Sequence, residues 1–513
     1  MKKFLSLTLA LVMLLGVLAG CGQKGTDNDP SATNPTDVTY KSTVTIGCDG
    51  AIVEINPLVQ SNWMHNWVFK MVYDRLVFVD SSTFEVIPEL ATSWEWVTDT
   101  CIEMKLRDDV DFHNGDHMTA EDVVWSFERM KADDATVTNT YLKNLESIEA
   151  TDEYTVRMNL TAPNQDWLTI IAQPAFGILS KSAIEADETT GYWVGTGAFK
   201  VETLLANDTT TVVRNDNYWG ELPTSQKVIF RYIAEDASRL IALQTGEVDV
   251  CVRPSTLEVG YIDEDPNLDL VQFNSSSEVY LAFNTTKFPG NDKNFRLAVA
   301  YALNIDDIIA VAANGYAKPS GTHWGFNTFG RDDSIEAYGQ NLELAKEYLA
   351  KAFPNGNAQL TISTTGNERV TVAQVMQEQL RAIGLNVTVN EVESAAMSAM
   401  SKFNVAEHEA MIYNFGWLPQ GDDCRRPFYP NNNTNKAIVT NEELVDLIDS
   451  AVQEPDEAAR KEMYSKVQQI NHEEAYYIPI YFADQFAGVK AGTTGVIWEP
   501  NRAYDFTYIA VPE

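Results

Sequence analysis

Histidine and glycine are the residue types in this chain whose spacing first suggests chemistry. His113 and His117 lie four residues apart, a spacing that presents two imidazoles to one metal ion when the segment is helical. They flank Asn114-Gly115, a dipeptide typical of turns, so no metal site is predicted there. Gly195 and Gly197 match only part of a dinucleotide-binding glycine pattern, and no third glycine follows at the required spacing.

Other signatures of catalysis are missing from the sequence. It contains no G-x-S-x-G nucleophile elbow, no H-E-x-x-H zinc-protease motif and no G-x-x-x-x-G-K-[ST] phosphate loop. Four cysteines of the body have spacings that match no zinc site: Cys48, Cys101, Cys251 and Cys424. The sequence therefore predicts neither an enzyme nor a cofactor, and it leaves the oxidation state of these cysteines open.

Charge and composition exclude several classes of partner. The chain has 513 residues, with 37 Lys and Arg against 73 Asp and Glu, a net charge of −36. Binding of nucleic acid needs a basic surface, and adhesion to anionic lipid needs basic patches, so neither is expected. The hydrophobic fraction of 45% is that of an ordinary globular protein. Because single cores stop growing at about 250–300 residues, more than one core is predicted.

The first twenty residues have the pattern of an export signal. Lys2 and Lys3 precede an apolar segment, 4–18, that is shorter than the about 20 residues needed to span a bilayer. The segment ends in Leu18-Ala19-Gly20-Cys21, which resembles a bacterial lipobox and implies lipidation of Cys21. Acyl chains contribute about 0.8 kcal/mol per buried methylene, which is sufficient to anchor a protein that carries two or three chains. A plain signal peptide with a chance cysteine is the alternative.

A polar segment follows and is predicted to be a flexible tether over residues 21–40. It is rich in Gly, Pro, Asn, Asp, Ser and Thr, and it cannot bury enough apolar surface to order itself. The remaining chain is predicted to be a water-soluble body at the extracytoplasmic face of the bacterial cell membrane, in the periplasmic space or on the cell surface.

The body alternates between strand and helix patterns. Period-two alternation predicts strands at 44–48, 92–96, 102–106, 154–160, 199–201, 210–214, 228–232, 248–252, 280–284, 359–363, 386–392 and 478–481. Helical spacing predicts helices at 62–79, 119–130, 237–244, 292–303, 305–313, 342–352, 370–383, 442–453 and 457–471. Such alternation favours an α/β fold with parallel or mixed sheets covered by helices.

Several sequence blocks follow one another in a recognisable order. They are MKLRDDVDFHNG with MTAEDVVWSF (104–127), GTGAFKV (195–201) with RNDNYWG (214–220), DASR (236–239) with QTGEVD (244–249), LAFNT (281–285) and RLAVAYA (296–302). Together they resemble the family 5 extracellular solute-binding proteins, the peptide- and nickel-binding receptors of ATP-driven (ABC) importers. Most of the matched residues are expected to be scaffold, in strands, turns and a capped helix, rather than ligand contacts.

The resemblance implies a periplasmic-binding-protein-like α/β fold: two lobes that close over a cleft by a hinge, with an inserted third domain. The expected organisation is a signal peptide (1–20), a tether (21–40), domain I (41–76, 193–277 and 485–513), domain II as an insertion (77–192) and domain III (278–484). The implied partners are a small peptide or other solute and the permease and ATPase subunits of the importer. A monomer is expected.

The resemblance also points to a ligand-binding loop. In the peptide receptors of this family, an aspartate three positions after a Gly-Trp pair holds the α-ammonium of the peptide. Here Trp417 follows Gly416, and the third position after it is Gln420, which carries no charge. Asp422 or Asp423 can substitute after a small shift of the loop. Trp417 is predicted to form an aromatic wall of the cleft, with core packing as the alternative.

Other candidate ligand contacts lie elsewhere in the chain. The dipeptide receptors carry an arginine in the loop after the strand that corresponds to 359–363, where this sequence has Arg369 nearby, expected to begin the next helix. Arg425 and Arg426 are alternative cations, unless they lie on a solvated loop. Met64, His65 and Trp498 complete the predicted ligand-binding residues.

The leading hypothesis is a lipid-anchored receptor that captures di- or oligopeptides by hinge closure and delivers them to an ABC permease for transmembrane transport. This sequence differs from the peptide receptors at two points: Gln420 stands at the ammonium position, and Arg369 is expected in a helix rather than in the loop after 359–363. These differences keep a second hypothesis open, a receptor for a nickel chelate, an opine-like compound or an oligosaccharide. An exported hydrolase and a sensor that passes a signal peptide to a partner are further alternatives.

Overall fold

Strands and helices alternate along most of the computed structural model, which describes residues 38–59, 64–132, 138–499 and 503–513. The predicted signal peptide, Cys21 and most of the predicted tether lie outside the described residues. No helix within these ranges combines the length and the apolar character needed to cross a membrane.

The strands in chain order are β1 (Thr43–Cys48), β2 (Val77–Val79), β3 (Val86–Pro88), β4 (Ala91–Thr98), β5 (Cys101–Leu106), β6 (Leu145–Asp152), β7 (Thr155–Leu160), β8 (Phe199–Leu205), β9 (Thr209–Arg214), β10 (Lys227–Tyr232), β11 (Val250–Val252), β12 (Leu268–Phe273), β13 (Ser277–Phe283), β14 (Ala317–Lys318), β15 (Gln359–Thr364), β16 (Asn386–Glu391), β17 (Ala410–Gly416), β18 (Tyr477–Ala483), β19 (Gln485–Lys490), β20 (Ile497–Trp498) and β21 (Tyr504–Asp505).

The α-helices are α1 (Met64–Val72), α2 (Ala120–Ala132), α3 (Asn139–Leu142), α4 (Trp167–Ile171), α5 (Lys181–Ala186), α6 (Asp236–Gln244), α7 (Val259–Asp263), α8 (Lys293–Ala302), α9 (Ile305–Ala312), α10 (Leu342–Ala352), α11 (Asn367–Arg381), α12 (Ser394–Met400), α13 (Arg425–Phe428), α14 (Glu442–Gln453) and α15 (Glu457–Glu474). Short 3-10 turns lie at Pro174–Phe176, Gly191–Trp193 and Gly421–Cys424.

A seven-stranded sheet draws its strands from three separate parts of the chain. Its order is β12-β19-β11-β1-β10-β9-β8. The central strand β1 is parallel to β10 and β11, and the remaining pairs are antiparallel. The sheet therefore joins three segments of the chain: the start of the body, residues 199–273 and strand β19 near the end. The predicted domain boundaries themselves stay a prediction.

A second, six-stranded sheet has the order β14-β18-β13-β17-β15-β16. Strand β15 is parallel to β16 and β17, whereas β13 is antiparallel to β17 and β18. Apolar residues of these strands and of α8 to α11 share one buried core. The prediction of mixed sheets covered by helices is confirmed.

A third sheet is four-stranded and antiparallel, with the order β4-β5-β7-β6. Its strands follow β1 in the chain and precede the other strands of the seven-stranded sheet. Helix α2 packs against it through Val123, Phe127 and Met130, all fully buried. The backbone N–H of Thr119 donates to Asp122 Oδ2 at 3.0 Å, which is the reciprocal bond of a capping box. The predicted start of this helix is confirmed.

One predicted helix, 62–79, is wrong in its second half. Helix α1 ends at Val72, and Val77–Val79 form strand β2, which pairs with β3; residues 62 and 63 lie outside the described residues. All residues of α1 and most of 73–79 are buried, so apolar residues continue past the helix without marking a single helical face. Strand β17, before the Gly-Trp pair, was not predicted.

Two of the family-like blocks meet at the buried carboxylate of Asp74. Thr196 Oγ1, Tyr218 OH and Trp219 Nε1 donate to it at 2.9, 3.0 and 2.8 Å. The side chain is 3% exposed, and burial raises the pKa of Asp74 to about 6. The blocks around Thr196 and Trp219 are therefore scaffold at this point, as the sequence analysis expects.

The absence of a side chain at Gly195 allows the segment around Thr196 to pack against the end of α1. A Cβ at this position would lie 2.1 Å from the carbonyl oxygen of Val72. We expect Gly195→Ala to lower the free energy of unfolding by about 1–3 kcal/mol, the usual cost of overpacking. Gly260→Ala in α7 is the matched control, since nothing lies within 4 Å of its new Cβ. Denaturant unfolding of both variants measures the difference, and equal stability would contradict the close contact.

The four described cysteines are free thiols. Cys48, Cys251 and Cys424 are buried, whereas Cys101 is partly exposed. Burial raises the pKa of the three buried thiols, which lowers the thiolate fraction that alkylating reagents need. In the folded protein, iodoacetamide is expected to modify Cys101 first, and all four thiols should react after denaturation. A disulfide found by mass spectrometry between any two of them would contradict this arrangement.

Candidate functional site

A cavity of about 840 Å³ separates residues 138–176 from residues 418–453, and Asn66 of α1 reaches into it. We call it the Gln420 cavity. Side-chain amides are frequent among its described lining residues: Asn66, Asn144, Asn164, Gln173, Gln420, Asn432 and Gln453. Tyr141, Phe176 and Tyr429 add aromatic surface. This mixture of apolar walls and placed polar groups is typical of small-molecule sites.

The loop after β17 supplies one wall of the cavity. Strand β17 ends at Gly416, and the chain then turns through Gly421–Cys424 into α13. Asp423 Oδ2 accepts the backbone N–H of Leu418 at 3.0 Å, which closes the loop on itself. The loop thereby presents Leu418, Gln420 and Asp422 to the cavity.

Both aspartates predicted to replace the ammonium anchor are held by arginines. Arg426 contacts the two carboxylate oxygens of Asp423 at 2.6 Å each, in a bidentate pair. Arg425 pairs with Asp422 and also with Asp449, whose Oδ1 lies 2.7 Å from Nη1. Arg425 and Arg426 line the cavity in this arrangement rather than lying on a solvated loop. The charges of this wall are therefore largely compensated.

Asp166 connects this loop to the opposite wall. Its Oδ2 accepts the backbone N–H of Asp422 at 2.8 Å, and the neighbouring Gln165 N–H donates to Val452 O at 3.0 Å. Burial raises the pKa of Asp166. Burial also raises the pKa of Asp422 to about 6, with Arg425 opposing the shift and Asp166 adding to it. These contacts hold the two sides of the cavity together.

Gln420, which the sequence resemblance predicts at the position of the ammonium anchor, is 2% exposed. Its Oε1 has no hydrogen-bond partner among the described residues, and the same holds for Asn144 Oδ1 and Gln173 Nε2. The amide nitrogen of Asn144 donates to Thr161 Oγ1 at 2.9 Å and Ala162 O at 3.2 Å, which orients its oxygen. Three buried amide atoms of lining residues thus have no hydrogen-bond partner among the described residues.

Trp417 lies behind the loop, in a buried core, and does not line the Gln420 cavity. Its indole Nε1–H donates to Glu278 Oε2 at 2.8 Å, and its ring stacks on Trp324 at 5.3 Å between centroids. His323 Nδ1 lies 2.8 Å from the same carboxylate oxygen. Glu278 and His323 are fully buried, and neither was anticipated from the sequence. Direct contact of Trp417 with a ligand stays a prediction.

The remaining predicted residues lie around the start of α1 and the end of the chain. Met64 contacts Arg253, and His65 is fully buried beside Phe69. Trp498 packs against Phe273 and Tyr504. None of the three lines the Gln420 cavity, although their neighbour Asn66 does. Their role in ligand binding stays a prediction.

Arg369 also lies away from the cavity, in α11, where its Nε donates to Thr365 O at 2.8 Å. No group of three or more His, Cys, Asp and Glu side chains suited to a metal ion occurs among the described residues. His113 instead bridges scaffold segments, since its Nε2 lies 2.9 Å from Gly197 O, and burial lowers the pKa of His113 to about 4.

The sequence did not predict the wall formed by residues 138–176. Asn144, Asn164 and Gln173 belong to no motif, and their amides are common in turns and helix ends. Only the packing of two distant segments brings them to Gln420.

Two α/β lobes, an inserted sheet and an amide-lined cavity define the class of extracytoplasmic solute-binding proteins. The profile of the bacterial extracellular solute-binding proteins, family 5 (Middle), matches residues 85–437, and the chain belongs to this family. Such proteins are the solute receptors of ABC transporters, work outside the cytoplasm and are not enzymes.

Three known proteins illustrate the likeness. Di/tripeptide-binding protein 2 of Pseudomonas aeruginosa is 26% identical over 476 residues, covering 85% of this chain and 89% of that protein. Heme-binding protein A of Haemophilus influenzae is 26% identical over 552 residues, with 99% of both chains covered. The periplasmic binding protein DppA of Helicobacter pylori, solved with the peptide STSA, is 26% identical with a TM-score of 0.77, covering 92% of this chain and 99% of that one. The predicted family and fold class are confirmed.

Proposed function

We infer that the protein is a monomeric, lipid-anchored receptor that captures small peptides in the Gln420 cavity and delivers them to the permease of an ABC importer. The amide lining of the cavity carries this proposal. A bound peptide has N–H and C=O groups that cost about 1–3 kcal/mol each when they are buried unpaired. Side-chain amides offer donors and acceptors for both groups without regard to the peptide sequence.

Size and relatives support the same ligand. The cavity volume of about 840 Å³ lies within the range of about 300–1,000 Å³ that is usual for small-molecule sites. The Pseudomonas aeruginosa relative is named for di- and tripeptides, and the Helicobacter pylori structure contains a four-residue peptide. The contacts of Asp166 and Gln165 with the opposite wall fit closure around such a ligand.

Calorimetric titration of the full-length protein in detergent tests the peptide proposal. Pools of di-, tri- and tetrapeptides are expected to give saturable one-to-one binding, and Gln173→Ala should weaken it. Gln469→Ala, which removes an exposed amide outside the cavity, is the matched control. Absence of peptide binding, together with binding of haem or an oligosaccharide, would overturn the peptide proposal and leave the receptor class intact.

A non-peptide solute is the second candidate. The uncharged Gln420 at the ammonium position and the haem-binding relative favour it. Haem, a nickel chelate and an opine therefore belong in the same titration series.

Lipid anchoring at Cys21 has its own test. In cells fed labelled palmitate, the wild-type protein should carry label and sediment with membranes. Cys21→Ser should lose the label and appear in the soluble exported fraction. Membrane attachment that persists in Cys21→Ser would contradict the anchor without affecting the ligand proposal.

A further inference from the structure

The carboxylates that line the Gln420 cavity are already paired with arginines within the protein. Asp423 is held by Arg426 in a bidentate pair, and Asp422 and Asp449 share Arg425. An incoming ammonium group would have to share a carboxylate with one of these arginines and would lie close to its positive charge. Burial of an uncompensated charge is far more costly than burial of a neutral polar group.

Three atoms of the lining amides, in contrast, have no hydrogen-bond partner among the described residues. Gln420 Oε1 and Asn144 Oδ1 are acceptors, and Gln173 Nε2 is a donor, and all three are buried without a hydrogen bond among the described residues. Gln420 is the most enclosed of the three, at 2% exposure. Because each unmet buried group costs about 1–3 kcal/mol, a ligand that completes these bonds gains affinity.

The chemistry of the missing partner follows from these atoms. A secondary amide offers one N–H to an acceptor such as Gln420 Oε1 and one C=O to a donor such as Gln173 Nε2, and it carries no charge. An α-ammonium offers three charged N–H donors and no acceptor. The unpartnered atoms of the cavity include both acceptors and a donor, and they therefore match an uncharged amide better than a free amino terminus.

We propose that the Gln420 side of the cavity binds an uncharged amide of the peptide, so that the protein prefers peptides with a blocked, N-acylated end over peptides with a free α-ammonium. This inference rests on the proposed peptide-binding function and specifies its ligand.

Competition between matched peptide pools tests the preference. Full-length protein in detergent is mixed with equal amounts of one tetrapeptide pool in free and N-acetylated forms, and the bound peptides are identified by native mass spectrometry. The acetylated peptides are expected to be enriched about tenfold, which corresponds to about 1.4 kcal/mol. Equal retention of both forms, or enrichment of the free form, would overturn the inference and leave the peptide receptor standing. Retention of neither pool would overturn the proposed function and this inference together.

Two substitutions connect the preference to the residue. Gln420→Glu places a carboxylate at the anchor position and should reverse the preference towards free amino termini. Gln469→Glu adds the same charge at an exposed amide outside the cavity and should leave the preference unchanged. Should Gln420→Glu fail to fold, Gln420→Leu should abolish the enrichment of acetylated peptides. A preference that survives Gln420→Leu, or that shifts equally in Gln469→Glu, would contradict a specific role for Gln420.

Discussion

Glu278→Ala is expected to lower the free energy of unfolding by about 1–3 kcal/mol, the usual cost of leaving a buried donor without its acceptor. The Glu278 carboxylate accepts the indole N–H of Trp417 and lies 2.8 Å from His323 Nδ1, and all three side chains are fully buried. Without the carboxylate, the indole N–H loses its acceptor inside an aromatic core. Tyr477 stacks on the His323 ring at 4.3 Å, so little space is available for water.

Chemical denaturation followed by tryptophan fluorescence measures this change. Glu278→Gln keeps an acceptor for the indole and should retain more stability than Glu278→Ala. Glu473→Ala, at an exposed position, controls for the loss of a negative charge. Equal stability of Glu278→Ala and the wild-type protein would show that Trp417 is held by packing alone.

Substitution of Glu278 should also affect the ligand site. Leu418 and Gln420 follow Trp417 directly, and both line the Gln420 cavity. Displacement of Trp417 is therefore expected to weaken peptide binding, although Glu278 itself does not line the cavity.

Asp74→Ala is the second substitution with a large expected effect. Asp74 accepts hydrogen bonds from Thr196, Tyr218 and Trp219, and its removal leaves three donors without their acceptor. Since each unmet buried donor costs about 1–3 kcal/mol, a loss of at least about 3 kcal/mol is expected in denaturant unfolding. Asp216→Ala is the control, because Asp216 lies in the same sequence block as Tyr218 and Trp219 but its side chain is 75% exposed. This variant should change stability little. A small effect of both variants would contradict the role of Asp74 as the centre of this junction.

The raised pKa of Asp74 makes its contribution depend on pH. Burial raises this pKa from 3.8 to about 6. Between pH 4 and 6 the folded protein therefore keeps a proton that the unfolded chain releases, and stability falls as pH rises through this window. The contribution of Asp74 to this fall is at most about 3 kcal/mol, and it is complete above pH 6. Thermal unfolding of Asp74→Asn should show a shallower fall from pH 4 to 6 than the wild-type protein, and parallel curves would contradict the raised pKa.

The sequence predicts local structure well where one side of an element faces solvent. Helix α2 is an example, because Thr119 and Asp122 mark its start and Val123, Phe127 and Met130 mark its buried face. The prediction fails where elements are buried on every side, as in 62–79, because apolar residues then continue through a turn from helix to strand. Period and face carry no information once both faces are apolar.

The candidate site could be predicted only in part for a related reason. The loop around Gln420 follows a Gly-Trp pair and belongs to a recognisable pattern, whereas Asn144 and Gln173 belong to none. Likewise, the sequence places Trp417 near the site, but only the fold brings Glu278 and His323 to its indole from two other segments. Contacts between distant segments depend on how the sheets assemble, and a single sequence does not contain that information in a local pattern.

Native mass spectrometry of the full-length protein, purified in detergent without added ligand, tests the central claim most directly. The account predicts a monomer that carries a ladder of bound masses, which denaturation releases as small peptides of varied sequence with blocked ends over-represented. A single discrete non-peptide mass released from the protein would contradict the claim that the Gln420 cavity is a peptide site.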